Sequence, residues 1–372
     1  MTDFSIIIAT NNYPDQLKTL LESLADAKAR YEGRTEVIIV DDSDPSNKGL
    51  IHDAAIKFGC RIQYYKGSVP HKKNKGAEMA AYNTMIFLDA DVAVRTDLFS
   101  YYDEFFNKGE KAVAGPVVFS GKDTFLWKSV AALPYMKRYS RPLFLNELVW
   151  ATTANFAITK KAFIEAGFFN ESIGPTGEDD VLGINLNNIG IQIKSAPEAI
   201  VYKNREKWLG YSDVKKRIKD YTKTEIPLIV KNPQFQMSKG LNRNLMYLLM
   251  FLFSGIAALI FFNPFMLFVG LGYYLLENTI IAFLIRHKSE FIKTSFFEQL
   301  LTEHFMHVID RTYIFECIKQ KRFNLISKRL VYYDTQSYSS FKYGRMISVV
   351  QFVLISLACL ALIAIVILGY IL

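Results

Sequence analysis

The sequence predicts two regions. An α/β domain on a mostly parallel sheet covers about residues 1–240, and an α-helical membrane region of about three spans covers 241–372. In the first region short apolar, β-branched runs alternate with helical patterns, as in a sheet covered on both faces. In the last third lie three long apolar runs, 245–262, 265–285 and 347–371. Each is long enough, at ~1.5 Å per residue, to cross a ~30 Å hydrocarbon core. Glu277-Asn278-Thr279 interrupts the second run and reads either as a bundle-facing cluster or as a re-entrant break.

Composition agrees. With 51% hydrophobic, 14% aromatic and 22% charged residues, the chain is not a disordered polymer. A mean hydropathy of +0.12 is unusual for a wholly soluble protein of this size. Its three cysteines, Cys60, Cys317 and Cys359, lie too far apart for a disulfide framework or a zinc knuckle. The net charge of +8 is concentrated beside the apolar runs. Residues 203–243 hold eleven Lys/Arg against four acids, 286–346 hold eleven against six, and the Asn263-Pro264 turn holds none. The positive-inside rule places both basic stretches in the cytoplasm, and the chain is expected to be a multi-pass membrane protein of plasma-membrane type. Its N-terminal domain would be cytoplasmic and its C-terminus on the opposite side. This placement of the charge argues against nucleic acid as a partner.

The elements of the first region follow in order. FSIIIAT (4–10) reads as a strand rather than a signal peptide, because no basic stretch precedes it. A helix follows Pro14. EVIIVDD (36–42) is a second strand, with a helix around 47–58 after it, and RIQYY (61–65) a third. A helical segment at about 73–84 leads into MIFLDAD (85–91). KAVAGPVVF (111–119) and ATTANFAIT (151–159) read as further strands.

In such sheets ligands bind beyond the carboxyl ends of the strands. Here those ends carry acids: Thr10-Asn11, Asp41-Asp42, and Asp89-Ala90-Asp91. Asp89 and Asp91 are two residues apart and share a face. Two like carboxylates held together call for a cation. Mg²⁺ or Mn²⁺, bridging to a diphosphate, is the expected partner. Lys72, Lys73 and Lys75 offer point charges for phosphate. Glu178-Asp179-Asp180 opens a helical pattern, where acids suit the helix dipole and one could act as general base. The loop before it runs over 167–174. In 291–315 aromatics and leucines interleave with charges, as in an interfacial helix or a packed linker. Glu277 could pair with an Arg or Lys, meet an acceptor head group, or simply lie buried as a hydrogen-bonded or protonated carboxyl.

Together these motifs resemble family 2 glycosyltransferases of the GT-A fold. The matching residues are SIIIATNN, VIIVDDSD, NKG, MIFLDADV, ATTANFAITKKAFIEAGFFNE, GEDDVL and IQIKSAPEAIVYK, in the family's order over roughly 3–203. The resemblance implies a nucleotide-sugar donor, a divalent metal and usually inverting chemistry. It implies that Thr10, Asp41 and Asp42 surround the donor's base and ribose, and that Lys73, Asn74 and Asp89 contact the donor. Asp91, with Asp89, would hold the metal. Glu178-Asp179 would be the pair whose Asp179 deprotonates the acceptor. The chain departs from the pattern at Val181, at Asn185 and at Lys203, where many members carry a metal-ligating His. Lys203 suits a phosphate instead. Asn204-Arg205-Glu206-Lys207-Trp208 does not meet the Q-x-x-R-W signature of processive synthases. The expected function is non-processive transfer to a lipid-linked or glycan acceptor. The alternatives are a processive polysaccharide synthase and a non-catalytic nucleotide-sugar-binding component of polysaccharide export.

Overall fold

A computed structural model describes residues 1–172, 177–233, 236–238, 242–286, 292–330 and 338–371. The chain forms two compact units. The first holds Met1–Lys122 and Pro134–Lys207; the second holds Asp123–Leu133 and Trp208–Leu372. The expected boundary at 240 thus falls inside the second unit. The basic segment before the first span forms a helix within that unit.

The first unit begins β1 (Phe4–Thr10), α1 (Pro14–Ala29), β2 (Thr35–Asp41), α2 (Pro45–Lys57), β3 (Arg61–Tyr64), α3 (Val69–Met79), β4 (Thr84–Asp89). The β1 residues Phe4, Ile6, Ile7 and Ile8 are wholly buried, as a central strand covered on both faces requires. In α1 the buried residues Leu17, Leu20, Leu21, Leu24 and Ala27 make one helical stripe. The inward face of α3 is different: it buries Lys72, Lys73 and Asn74. That polar face explains why the expected helix at 73–84 sits four to five residues too late.

The unit continues with β5 (Val92–Val94), α4 (Leu98–Asn107), β6 (Ala112–Ala114) and β7 (Val117–Ser120). The second unit's α5 (Phe125–Ala131) intervenes; then come β8 (Glu147–Leu148), β9 (Asn155–Thr159), α6 (Lys160–Glu165), α7 (Glu178–Asn188), β10 (Ile193–Ser195) and β11 (Val201–Asn204). The main sheet has the order β3-β2-β1-β4-β9-β6-β10-β8. It is parallel from β3 to β4 and between β6 and β10, while β9 runs antiparallel to both its neighbours. Register places Thr10 beside Asp41 and Ala9 beside Asp89, so the three strand ends lie side by side.

A small sheet, β5-β11-β7, flanks the main one. The run expected as one strand, 111–119, is therefore two strands in two sheets. The break is Gly115-Pro116, and it is sterically forced. A Cβ on Gly115 would stand 2.0 Å from the Ala199 carbonyl oxygen. Buried Asn155 stitches this corner, donating to Pro116 O at 3.1 Å and Ala199 O at 2.7 Å, while the Tyr102 hydroxyl donates to it at 2.7 Å.

In the second unit, α8 (Tyr211–Lys231) is followed by β12 (Gln236–Ser238), α9 (Arg243–Ile260), α10 (Leu267–Ile285), α11 (Phe296–Lys319), β13 (Lys328–Leu330) and α12 (Tyr338–Ile371). Three helices are long and apolar enough to cross a membrane: Arg243–Ile260, Pro264–Ile285 and Val349–Leu368. They match the three expected runs. Phe262 (92%), Leu259 (76%) and Phe352 (72%) would face solvent, an arrangement suited to lipid rather than water.

The core of this unit is partly polar. The Arg243 guanidinium lies 2.6 Å from Glu303 and 3.3 Å from Glu277, and Gln351 donates to Glu277 at 3.1 Å. Glu277 therefore serves to tie α9, α10 and α12 together. α11 opens with a capping box between Ser295 and Glu298 and turns Gln299, Thr302, Glu303, His307 and Asp310 inward. Its aromatic residues Phe297 and Phe315 point outward. His304 and His307 have separate partners: Tyr211 Oη at 2.7 Å and Asn278 Oδ1 at 2.6 Å. Phe291, Ile173 and Gly174 lie outside the described residues, as do parts of the expected 289–345 segment.

Candidate active site

The carboxyl ends of β2, β1 and β4 form one edge of the first unit, and the acids predicted there meet at that edge. At the β1 end Asn12 adopts a left-handed conformation (φ 59°). It latches the β2 loop by accepting from Asp44 N at 2.9 Å and donating to Asp44 Oδ2 at 2.9 Å. Asp41 is fully buried and accepts from Ser43 N at 3.1 Å through Oδ1. Its Oδ2 and the neighbouring Thr10 Oγ1 are buried polar atoms with no protein partner. The two atoms lie on adjacent strand ends, opposite one another in register.

Behind this edge, α3 supplies two buried ammoniums. Lys72 donates to Thr10 O at 2.8 Å and pairs with Asp42. Burial alone would raise the Asp42 carboxyl, but Lys72 and Asn11 outweigh it and hold it below its usual range. Lys73 bonds Thr153 Oγ1 and lies 3.4 Å from Glu178. Asn74 is spent on the loop after α6: it donates to Phe169 O and Glu171 at 2.9 Å and accepts from Phe169 N at 3.0 Å. This residue positions that loop.

Asp89 and Asp91 converge, as their spacing predicts, and they converge on lysine. Lys203 Nζ lies 2.7 Å from Asp89 Oδ2 and 2.8 Å from Asp91 Oδ1, and Lys207 Nζ lies 2.6 Å from Asp91 Oδ2. Burial opposes ionisation of both carboxylates, yet Lys203 holds both well below the ordinary range. In turn the two carboxylates overcome burial and hold the Lys203 ammonium protonated. The expected metal does not fit this donor set as it stands. Both Asp91 oxygens are taken by lysines, and no group of three His, Cys, Asp or Glu that could hold a metal exists among the described residues.

The acids at 178–180 sit on the first turn of α7. Gly177 caps this helix with φ 99°, a conformation costly for any residue with a Cβ. Asp179 and Asp180 are both buried. Burial first, then the charge of Glu178, pushes the Asp179 carboxyl up to about 6. Asp180 is pushed well up by burial and by Asp179, and its Oδ1 has no hydrogen-bond partner. The Lys73 ammonium acts on both Asp89 and Asp179, lowering each, so the two acid sites share one electrostatic environment.

A family model matches the chain over residues 5–169: glycosyl transferase family 2. Solved structures resemble the chain only loosely. TarS from S. aureus is 14% identical, with a TM-score of 0.42 over 61% of this chain and 40% of TarS. TarS 1-349 in complex with UDP-GlcNAc is 15% identical, with a TM-score of 0.39 over 59% of this chain and 65% of that one. The chain thus spans less than two thirds of the length of either. No curated protein matches the chain.

Reasoning from sequence placed Thr10, Asp41, Asp42, Lys73, Asp89 and Asp91 at the domain's strand-end edge and its α3 wall. It missed Lys207, seen only as part of a failed synthase signature, and Thr153 and Lys72 as the partners that fix Lys73 and Asp42. Of these, only Lys72 carried a sequence signal, its place in the basic run before the acidic strand.

Proposed function

We propose that the protein is a membrane-bound glycosyltransferase. It moves a sugar from a nucleotide-sugar to a lipid-linked or glycan acceptor, by a single in-line displacement that inverts the anomeric centre. One observation carries this: a buried carboxyl, Asp179, with its proton affinity raised to about 6, shares Lys73 with the acidic tip of β4. A general base works best when its pKa lies near the working pH.

In this reading the base and ribose lie against Thr10, Asp41 and Asp42, where two buried polar atoms lack partners. The diphosphate faces the lysines of the β4 edge. Asp179 takes the acceptor proton as the acceptor oxygen attacks the anomeric carbon. Glu178, beside Lys73, orients that ammonium. The catalytic domain is cytoplasmic, and the basic segments flanking the spans hold it at an anionic leaflet.

The test is nucleoside diphosphate release by the purified chain, with a panel of nucleotide-sugars and a lipid extract. One donor should support lipid-stimulated release, and Asp179→Asn should lower it at least ~10²-fold. Unchanged release in that variant contradicts the assignment of the base. Binding of a nucleotide-sugar without release contradicts the transferase reading.

A further inference from the structure

The pair Asp89–Asp91 carries its counter-charge within the chain. Lys203 Nζ bridges the two carboxylates at 2.7 and 2.8 Å, the position a bridging cation would need, and Lys207 occupies the remaining Asp91 oxygen at 2.6 Å. Neither lysine is a loose surface group. In the register of β11 with β5, Lys203 lies opposite Val92, the residue after Asp91. Its side chain is 11% exposed. Lys207 sits 3.7 Å above the Tyr13 ring, at the turn that ends β1.

We infer that Lys203 and Lys207 do the work of a divalent ion here, carrying the charge of the leaving diphosphate without a metal. The inference rests on the nucleotide-sugar reading above and deepens it.

The charge arithmetic supports it. Two ammoniums on two carboxylates give the same net charge as one divalent ion on the same pair. An ammonium has three N–H donors. Lys203 spends two on Asp89 and Asp91, and Lys207 spends one on Asp91. The third Lys203 donor, and those of Lys207 not turned to the Tyr13 ring, remain for phosphate oxygens. A divalent ion entering this site would have to expel one ammonium from both carboxylates and lie against another, with like charges in contact. In the transfer, the acceptor oxygen bonds the anomeric carbon and the bond from that carbon to the diphosphate oxygen breaks. The bonding pair stays on the diphosphate, and the acceptor proton passes to Asp179. Both lysines keep their protons and donate hydrogen bonds to the departing diphosphate.

The test uses the full chain in detergent, with UDP and GDP as binding probes followed by titration calorimetry, and nucleoside diphosphate release as the second readout. For the wild type, affinity and release should agree within about twofold between EDTA and Mn²⁺. Lys203→Met should weaken nucleotide binding by at least ~10-fold in either condition, whereas Lys203→Arg, which keeps the charge, should stay close to the wild type. Lys207→Met, at a more open position, guards against a folding defect and should also weaken binding. Lys203→His, which adds an imidazole to the two carboxylates, should make binding depend on Mn²⁺. Release that collapses in EDTA and returns with Mn²⁺ in the wild type overturns this inference and leaves the transferase reading standing. Unaltered binding by Lys203→Met also overturns it. No release from any nucleotide-sugar in either condition overturns both.

Discussion

At the scale of the residue, the account turns on a few buried charges. Lys73 is almost fully buried, yet its partners are a hydroxyl and a carboxylate 3.4 Å away. Such a cation is retained at a cost that its use must justify. Lys73→Met is expected to reduce nucleoside diphosphate release about 10²-fold, the usual loss on removing one charge-stabilising donor. The same change should move the pH dependence. Lys73 lowers Asp179, so removing its charge lets that carboxyl rise further, and the acidic limb should shift to higher pH. A release profile that keeps its position and amplitude in this variant would argue against the shared environment. The acids at strand ends were legible in the sequence because an apolar run that stops at a carboxylate marks a buried strand whose tip leaves the core. Lys203 was singled out as a phosphate contact rather than as their partner, and Lys207 was missed because it pairs with Asp91, 116 positions away.

At the scale of the element, β1, β2 and β4 were readable as continuous apolar runs. The helix α3 was misplaced because its buried face is Lys72, Lys73 and Asn74, which gives no apolar period. The strand expected at 151–159 shrank to Asn155–Thr159, since the residues before it lead into the site rather than into the sheet. The break at Gly115 was invisible for another reason: it depends on the approach of Ala199 from a distant loop. Gly115→Ala is expected to destabilise the domain by about 1–3 kcal/mol or more, because backbone and not a flexible side chain must move. Thermal unfolding measures this directly, and an unchanged midpoint would show that the corner yields easily.

At the scale of the whole molecule, the three apolar helices were the easiest feature to read, and the boundary before them the hardest. Trp208 and α8 belong with the second unit, whereas the sequence predicts them in the first, up to 240. In that unit Arg243 meets Glu303 and Glu277. Removing it by Arg243→Met leaves two acids without their cation, and a loss of about 3–5 kcal/mol in stability is expected. A thermal midpoint in detergent equal to that of the wild type would contradict this. The proposed sidedness is also testable in a chain whose three cysteines are replaced by serine. A cysteine at Asn263 should react with a membrane-impermeant thiol reagent in intact cells, and one at Lys122 only after permeabilisation. The reverse pattern would invert the topology.

The most direct test of the central claim is the pH profile of kcat for sugar transfer, compared between wild type and Asp179→Asn. A base must be deprotonated to work, so activity should rise with pH through a limb near 6, falling about tenfold per unit below it. In Asp179→Asn that limb should vanish along with most of the rate. A wild-type profile flat from pH 5 to 8, or the same limb surviving in the variant, would mean that Asp179 is not the base.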